Sequence, residues 1–137
     1  MASCAAPDDV GGGCQHWLCP VISIVDDDVW ARSGLMDLIL SLGYEVQAFE
    51  SAEQFIQSDT ISDTACLITD LHMPGISGLD LQSFLRSKGH ATPVIFVTAY
   101  PSDKHREQAL AEGAAGFLTK PYDERSLVAC LTRAIVN

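Results

Sequence analysis

The chain has 137 residues, enough for one domain that buries roughly two-thirds of its unfolded surface. Its net charge is −10, with only eight Lys and Arg, which argues against nucleic-acid binding by this chain because phosphate contacts need clustered basic residues. No apolar run approaches the about 18 residues of a membrane span, so a membrane role is not expected either.

Met1 to Cys19 has neither a basic n-region nor a long apolar h-region, so no secretory signal is read and a cytoplasmic location is expected. Pro7 and Gly11-Gly12-Gly13 make residues 1–20 a disordered leader by composition, with the folded domain expected over 21–137. Cys4, Cys14, His16 and Cys19 could supply soft ligands to zinc, but their spacing departs from the usual finger patterns. Cys66 and Cys130 stand among apolar neighbours, where a reduced thiol packs as a small hydrophobe.

Val21-Ile22-Ser23-Ile24-Val25 reads as a first strand, followed by three consecutive aspartates, Asp26, Asp27 and Asp28, that suggest a cation site. Asp28 is placed to cap a helix with Ala31, Leu35, Leu38, Ile39 and Leu42 along one stripe, and Gly43 to end it. Tyr44 to Ala48 reads as a second strand. Ser51-Ala52-Glu53-Gln54 is a capping-box pattern opening a short helix with Phe55 and Ile56 inward. Residues 65–69 read as a third, fully buried strand closed by Asp70, and Pro74-Gly75 and Ser77-Gly78 turn the chain into a helix over Gly78 to Ser87 with Leu81, Phe84 and Leu85 inward.

Pro93 to Val97 reads as a fourth strand ending at Thr98, and Ser102 or Asp103 as the cap of a mostly polar helix that carries Ala109 and Leu110 before Gly113. Ala114 to Thr119 is a fifth strand ending at Lys120-Pro121. Asp123 caps a last helix with Leu127, Cys130, Leu131, Ala134 and Ile135 on one side. Five strands alternating with five helices predict an α/β fold, a doubly wound parallel sheet of order 2-1-3-4-5. In that order Asp26, Asp27, Asp70, Thr98 and Lys120 all emerge at one edge of the sheet.

Carboxylates that close repel one another, and a hard divalent cation such as Mg²⁺ relieves the repulsion. With a lysine ammonium and a threonine hydroxyl beside a nucleophilic carboxylate, the set suits phosphoryl transfer, in which charge on three equatorial oxygens must be stabilised. The segments Val25-Asp26-Asp27-Asp28, Asp70-Leu71-His72-Met73-Pro74-Gly75, Thr98-Ala99 and Lys120-Pro121 resemble the receiver domain of two-component response regulators. That resemblance, over about residues 20–137, implies a flavodoxin-like (βα)5 fold and a phosphoacceptor signalling domain rather than an enzyme acting on other substrates.

It implies that Asp70 takes a phosphoryl group from a phosphohistidine of a sensor histidine kinase. Asp27, Asp70 and the backbone carbonyl of His72 would bind Mg²⁺ directly, with Asp26 helping through water. Thr98 and Lys120 would contact the phosphoryl oxygens, Phe117 would be the switch aromatic, and Lys120-Pro121 matches a position where the peptide bond is cis. The switched face, comprising the helix after Thr98, the fifth strand and the last helix, is expected to carry a phosphorylation-dependent homodimer or output-partner contact.

The run Gly113 to Pro121 looks nearest to regulators of the nitrogen-fixation, LuxR-type subgroup, which often continue into a DNA-binding helix-turn-helix. With the chain ending at Asn137, a stand-alone receiver and one separated from its output domain both stay open. A haloacid-dehalogenase-type phosphatase would carry Asp-x-Asp followed closely by threonine after its first strand, and Asp26-Asp27-Asp28-Val29-Trp30 has no such threonine.

Overall fold

The computed structural model describes residues 20–136. The leader, with the candidate zinc ligands Cys4, Cys14, His16 and Cys19, lies outside the described residues apart from Pro20. Ten elements alternate along the chain: β1 (Val21–Val25), α1 (Val29–Ser41), β2 (Glu45–Phe49), α2 (Ala52–Gln57), β3 (Thr64–Asp70), α3 (Gly78–Ser87), β4 (Val94–Thr98), α4 (Asp103–Ala111), β5 (Gly116–Thr119) and α5 (Glu124–Val136). All pairings are parallel and the order is β2-β1-β3-β4-β5, as the alternation predicts.

Period-two alternation along the central strands sorts their side chains between two cores. Ile22, Ile24, Cys66, Ile68, Ile95 and Val97 face one way, against Leu35 and Ile39 of α1 and Leu127, Cys130 and Leu131 of α5. Val25, Leu67, Val94 and Phe96 face the other, against Phe55 of α2, Leu81 and Leu85 of α3, and Ala109 of α4. With both faces covered, the central strands read as near-continuous apolar runs. Burial pushes the Cys66 thiol up to about 12, so this cysteine packs and does not react.

Several boundaries differ from the sequence reading for identifiable reasons. β2 begins at Glu45, whose N–H bonds the Pro20 carbonyl at 3.1 Å, and it extends to Phe49, which pairs with Val25. β3 gains Thr64 and Asp70, the latter in register with Val97, and β4 runs 94–98 rather than 93–97. β5 starts at Gly116 rather than Ala114, because the Ala114 N–H closes the end of α4 on the Ala109 carbonyl at 3.0 Å.

At α2 the Ser51 hydroxyl accepts from the Gln54 N–H, but Gln54 Oε1 accepts from Glu50 rather than Ser51, so the capping box is displaced by one residue. Ser102, not Asp103, caps α4, where Ala109 is buried and Leu110 is exposed. Leu42, placed in the buried stripe of α1, is also exposed because the helix has already ended there.

Gly78 opens α3 directly under β3, and a Cβ added there would overlap the Asp70 carbonyl oxygen and lie 3.1 Å from the Phe96 ring. Gly78→Ala must therefore push α3 away from the end of β3. The expected cost is about 1–3 kcal/mol, read as a lower urea midpoint at unchanged slope.

Candidate functional site

The order reversal between β1 and β3 makes these two strands neighbours, and their carboxyl ends deliver Asp26, Asp27 and Asp70 together. One carboxylate oxygen from each lies within 4.8 Å of the others. Asp26 is buried, Asp70 half-buried and Asp27 exposed. The third aspartate of the run turns away: Asp28 caps α1 through the N–H groups of Trp30 and Ala31. Its own N–H donates to Asp26 Oδ1 at 2.9 Å, fixing that carboxylate, and Arg32 Nη1 holds the Asp26 carbonyl at 2.7 Å.

β5 and the turn after it bring in the cation. The Lys120 N–H bonds the Thr98 carbonyl at 2.8 Å, so the ends of β4 and β5 stay in register. Its Nζ lies 3.1 Å from Asp26 Oδ2 and 3.2 Å from Asp70 Oδ2, bridging the two carboxylates. The Lys120-Pro121 peptide bond is cis, as the resemblance implies. Asp70 Oδ1 accepts from the His72 N–H at 3.2 Å, so both oxygens of Asp70 are engaged.

Thr98 is fully buried at the end of β4, and its hydroxyl oxygen accepts from the Tyr100 N–H at 3.1 Å, leaving the O–H free to donate. Phe117 packs at 6.2 Å against Phe96, with the Arg106 guanidinium 5.8 Å above its ring.

Burial pushes the Asp26 carboxyl above its ordinary value, outweighing the Asp28 N–H and the nearby Lys120, while the charge of Asp70 adds to the rise. Burial alone would lower Lys120, but the carboxylates of Asp26 and Asp70 outweigh it and hold the ammonium above its usual range. Three carboxylates against one ammonium leave negative charge in excess at a partly desolvated place. An all-oxygen donor set of this size suits a hard divalent cation such as Mg²⁺.

Of the site residues expected from the sequence, Asp26, Asp27, Asp70 and Lys120 come together at the sheet edge. Thr98 ends β4 with its carbonyl on the Lys120 N–H, the His72 N–H meets the Asp70 carboxylate, and Phe117 lies on β5 opposite Phe96. The sequence reading missed Arg32, and also Glu53 of α2, whose Oε2 accepts the Ile76 N–H at 3.4 Å and steadies the loop after Asp70.

A carboxylate cluster beside a hydroxyl and an ammonium, on this kind of sheet, marks a domain built to take a phosphoryl group. Comparison with known proteins gives the same class. The family model described as the response regulator receiver domain matches residues 22–132. The chain is 35% identical over 124 residues to nodulation protein W of Bradyrhizobium diazoefficiens, spanning 90% of this chain and 55% of that protein. It is 36% identical over 115 residues to response regulator protein TodT of Pseudomonas putida, spanning 84% and 51% of the respective chains.

Among solved structures, response regulator StyR superposes with a TM-score of 0.81 at 34% identity, over 86% of this chain and 60% of that one. FixJ-N superposes with a TM-score of 0.77 at 28% identity, over 86% and 94%. The chain belongs to the response regulator receiver domain family, the phosphoacceptor domains of two-component signalling. Such domains are phosphorylated by sensor kinases and bind Mg²⁺ at an acidic pocket. The chain spans about half the length of the curated relatives it matches. Among the described residues, no helix is long and apolar enough to cross a membrane.

Proposed function

We propose that Asp70 is the phosphoacceptor and that a sensor histidine kinase is its donor. The observation that carries this reading is the Lys120 ammonium bridging Asp26 and Asp70 at 3.1 and 3.2 Å at the carboxyl end of the central strand. Asp70 attacks phosphorus in line. The bond from phosphorus to the donor imidazole nitrogen breaks as the bond to the Asp70 oxygen forms, and the electron pair returns to the imidazole. Lys120 and the free O–H of Thr98 stabilise charge on the phosphoryl oxygens.

Mg²⁺ held by Asp27, Asp70 and the His72 carbonyl, with Asp26 assisting, would neutralise the remaining charge on those oxygens. Initial labelling by acetyl phosphate with Mg²⁺, compared between the parent and Asp27→Ala, tests the metal assignment. The variant is expected to label more slowly and to require more Mg²⁺. The catalysis is confined to the domain's own phosphorylation and dephosphorylation, the domain spans residues 21–137, and it works in the cytoplasm. The subgroup is the LuxR-type one, supported by similarity to the transcriptional regulatory protein FixJ of Azorhizobium caulinodans at 34% identity over 114 residues, 83% of this chain and 54% of that protein.

Readout follows from Thr98 and Phe117. Phosphorylation adds about −1.5 to −2 charges and new acceptor oxygens beside Thr98. As Thr98 moves toward them it vacates space for Phe117 to turn inward, away from Arg106, which repacks α4, β5 and α5. Moving such an element from 1:99 to 99:1 needs about 5.5 kcal/mol of differential stabilisation, within reach of several charge-assisted hydrogen bonds. That face then carries a homodimer or output-partner contact. Hydrogen exchange with and without an acyl-phosphate mimic is expected to differ in α4 and β5 and to stay unchanged in α2. Identical protection in both states would remove the readout.

A further inference from the structure

The first turn of α4 places His105 against His72, the residue that follows Asp70 and Leu71, with ring centroids 5.4 Å apart and planes at 68°. An ion held at about 2.0–2.1 Å by two imidazole nitrogens lies about 3.2 Å from each ring centre, and a tetrahedral angle then sets the centres about 5.2 Å apart. The observed spacing is close to this value.

The protonation pattern also suits ligation. His72 Nε2 lies 3.3 Å from the Tyr100 carbonyl oxygen, which can only accept, so Nε2 carries the hydrogen and the lone pair of the neutral ring is at Nδ1. A ring nitrogen donating to a backbone carbonyl is the usual support of a metal-bound histidine, because it fixes the tautomer and the ring orientation. His105 Nδ1 is buried and has no hydrogen-bond partner among the described residues.

We propose that His72 and His105 form a second metal site, taking a borderline divalent cation of the Zn²⁺ class and leaving its other positions to water. This site is chemically distinct from the acidic cluster, since imidazole nitrogens suit transition metals and carboxylates suit Mg²⁺. An ion there ties the loop after β3 to α4. The His72 N–H also donates to Asp70 Oδ1, and the residue after His105 stacks on Phe117, so the tie holds the acceptor loop and the switch aromatic in the resting arrangement. Zn²⁺ is then an inhibitor of phosphorylation, a consequence that rests on Asp70 being the acceptor.

The test is Zn²⁺ titration of the full chain in saturating Mg²⁺, followed through the imidazole resonances. His72 and His105 are expected to shift along one binding curve while His90 stays unmoved. His105→Gln should weaken the response of His72 at least tenfold, His72→Gln should do the same to His105, and unchanged amide spectra elsewhere would confirm that both variants fold. Shifts at His16 alone, independent curves for His72 and His105, or an unaltered His72 curve in His105→Gln would each overturn the site. Labelling by acetyl phosphate should slow severalfold with Zn²⁺ in the parent and not in His105→Gln. Absence of labelling without Zn²⁺ would remove the acceptor assignment instead, and equal slowing in both proteins would remove the inhibitory role.

Discussion

Asp70→Asn is expected to abolish labelling by acetyl phosphate, with no acid-labile phosphate detectable where the parent is labelled. An amide oxygen is a poor nucleophile and a weaker ligand for Mg²⁺, and the lone pair of an amide nitrogen is delocalised into the carbonyl and unavailable to attack phosphorus. The substitution also removes one of the two carboxylates held by Lys120, while the amide Oδ1 can still accept from the His72 N–H. The fold should survive, because Asp70 lies at the end of β3 and makes no contribution to either apolar core. A melting curve near that of the parent would therefore accompany complete loss of labelling. Undiminished labelling would move the acceptor to another residue and end this assignment.

Much of the candidate site was legible because Asp26, Asp70 and Thr98 each stand at the end of a strand that the sequence marks clearly. Val21-Ile22-Ser23-Ile24-Val25 leads to Asp26, Ala65-Cys66-Leu67-Ile68-Thr69 to Asp70, and Val94-Ile95-Phe96-Val97 to Thr98. A parallel sheet must point all of those ends the same way. Local chemistry also settled the caps at Asp28 and Ser51, where a side-chain oxygen meets an N–H two or three residues on.

Contacts between distant turns left no such trace. Glu53 reaches Ile76 from α2, and Arg106 reaches Phe117 from α4, through long side chains whose direction no periodicity encodes. His105 reads in the sequence as an ordinary polar residue of an exposed helix, and only the packing of α4 beside the loop after β3 brings it to His72. The shortened β5 has the same kind of cause: Ala114 is apolar enough for a strand, but its N–H is already committed to α4.

Lys120→Met is expected to lower stability by about 3 kcal/mol in Mg²⁺-free buffer at neutral pH. Removing one partner of a buried ion pair typically costs about 3–5 kcal/mol, because the other charge is left desolvated without compensation. The side chain of Asp26 is only 4% exposed, but those of Lys120 and Asp70 are 22% and 13% exposed, so solvent relieves part of the loss and the lower end of that range applies.

The pH dependence follows from the directions of the shifts. Asp26 has a folded-state pKa above its unfolded value, so its contribution favours folding in acid and is lost as pH rises through the folded value. At neutral pH its ionised form is a cost that Lys120 offsets. Lys120, itself raised, keeps its contribution until pH passes its own folded value above 10.5. The penalty of Lys120→Met should therefore shrink on acidification, as Asp26 takes up a proton. It should also shrink when Mg²⁺ supplies the missing positive charge. Asp26→Asn in the Lys120→Met background should recover most of the loss by removing the carboxylate that was left unpaired, and a double-mutant cycle in urea measures that coupling. If the parent, the single variants and the double variant all unfold at the same midpoint, with and without Mg²⁺, the bridge contributes nothing to stability and its role is confined to the phosphoryl group.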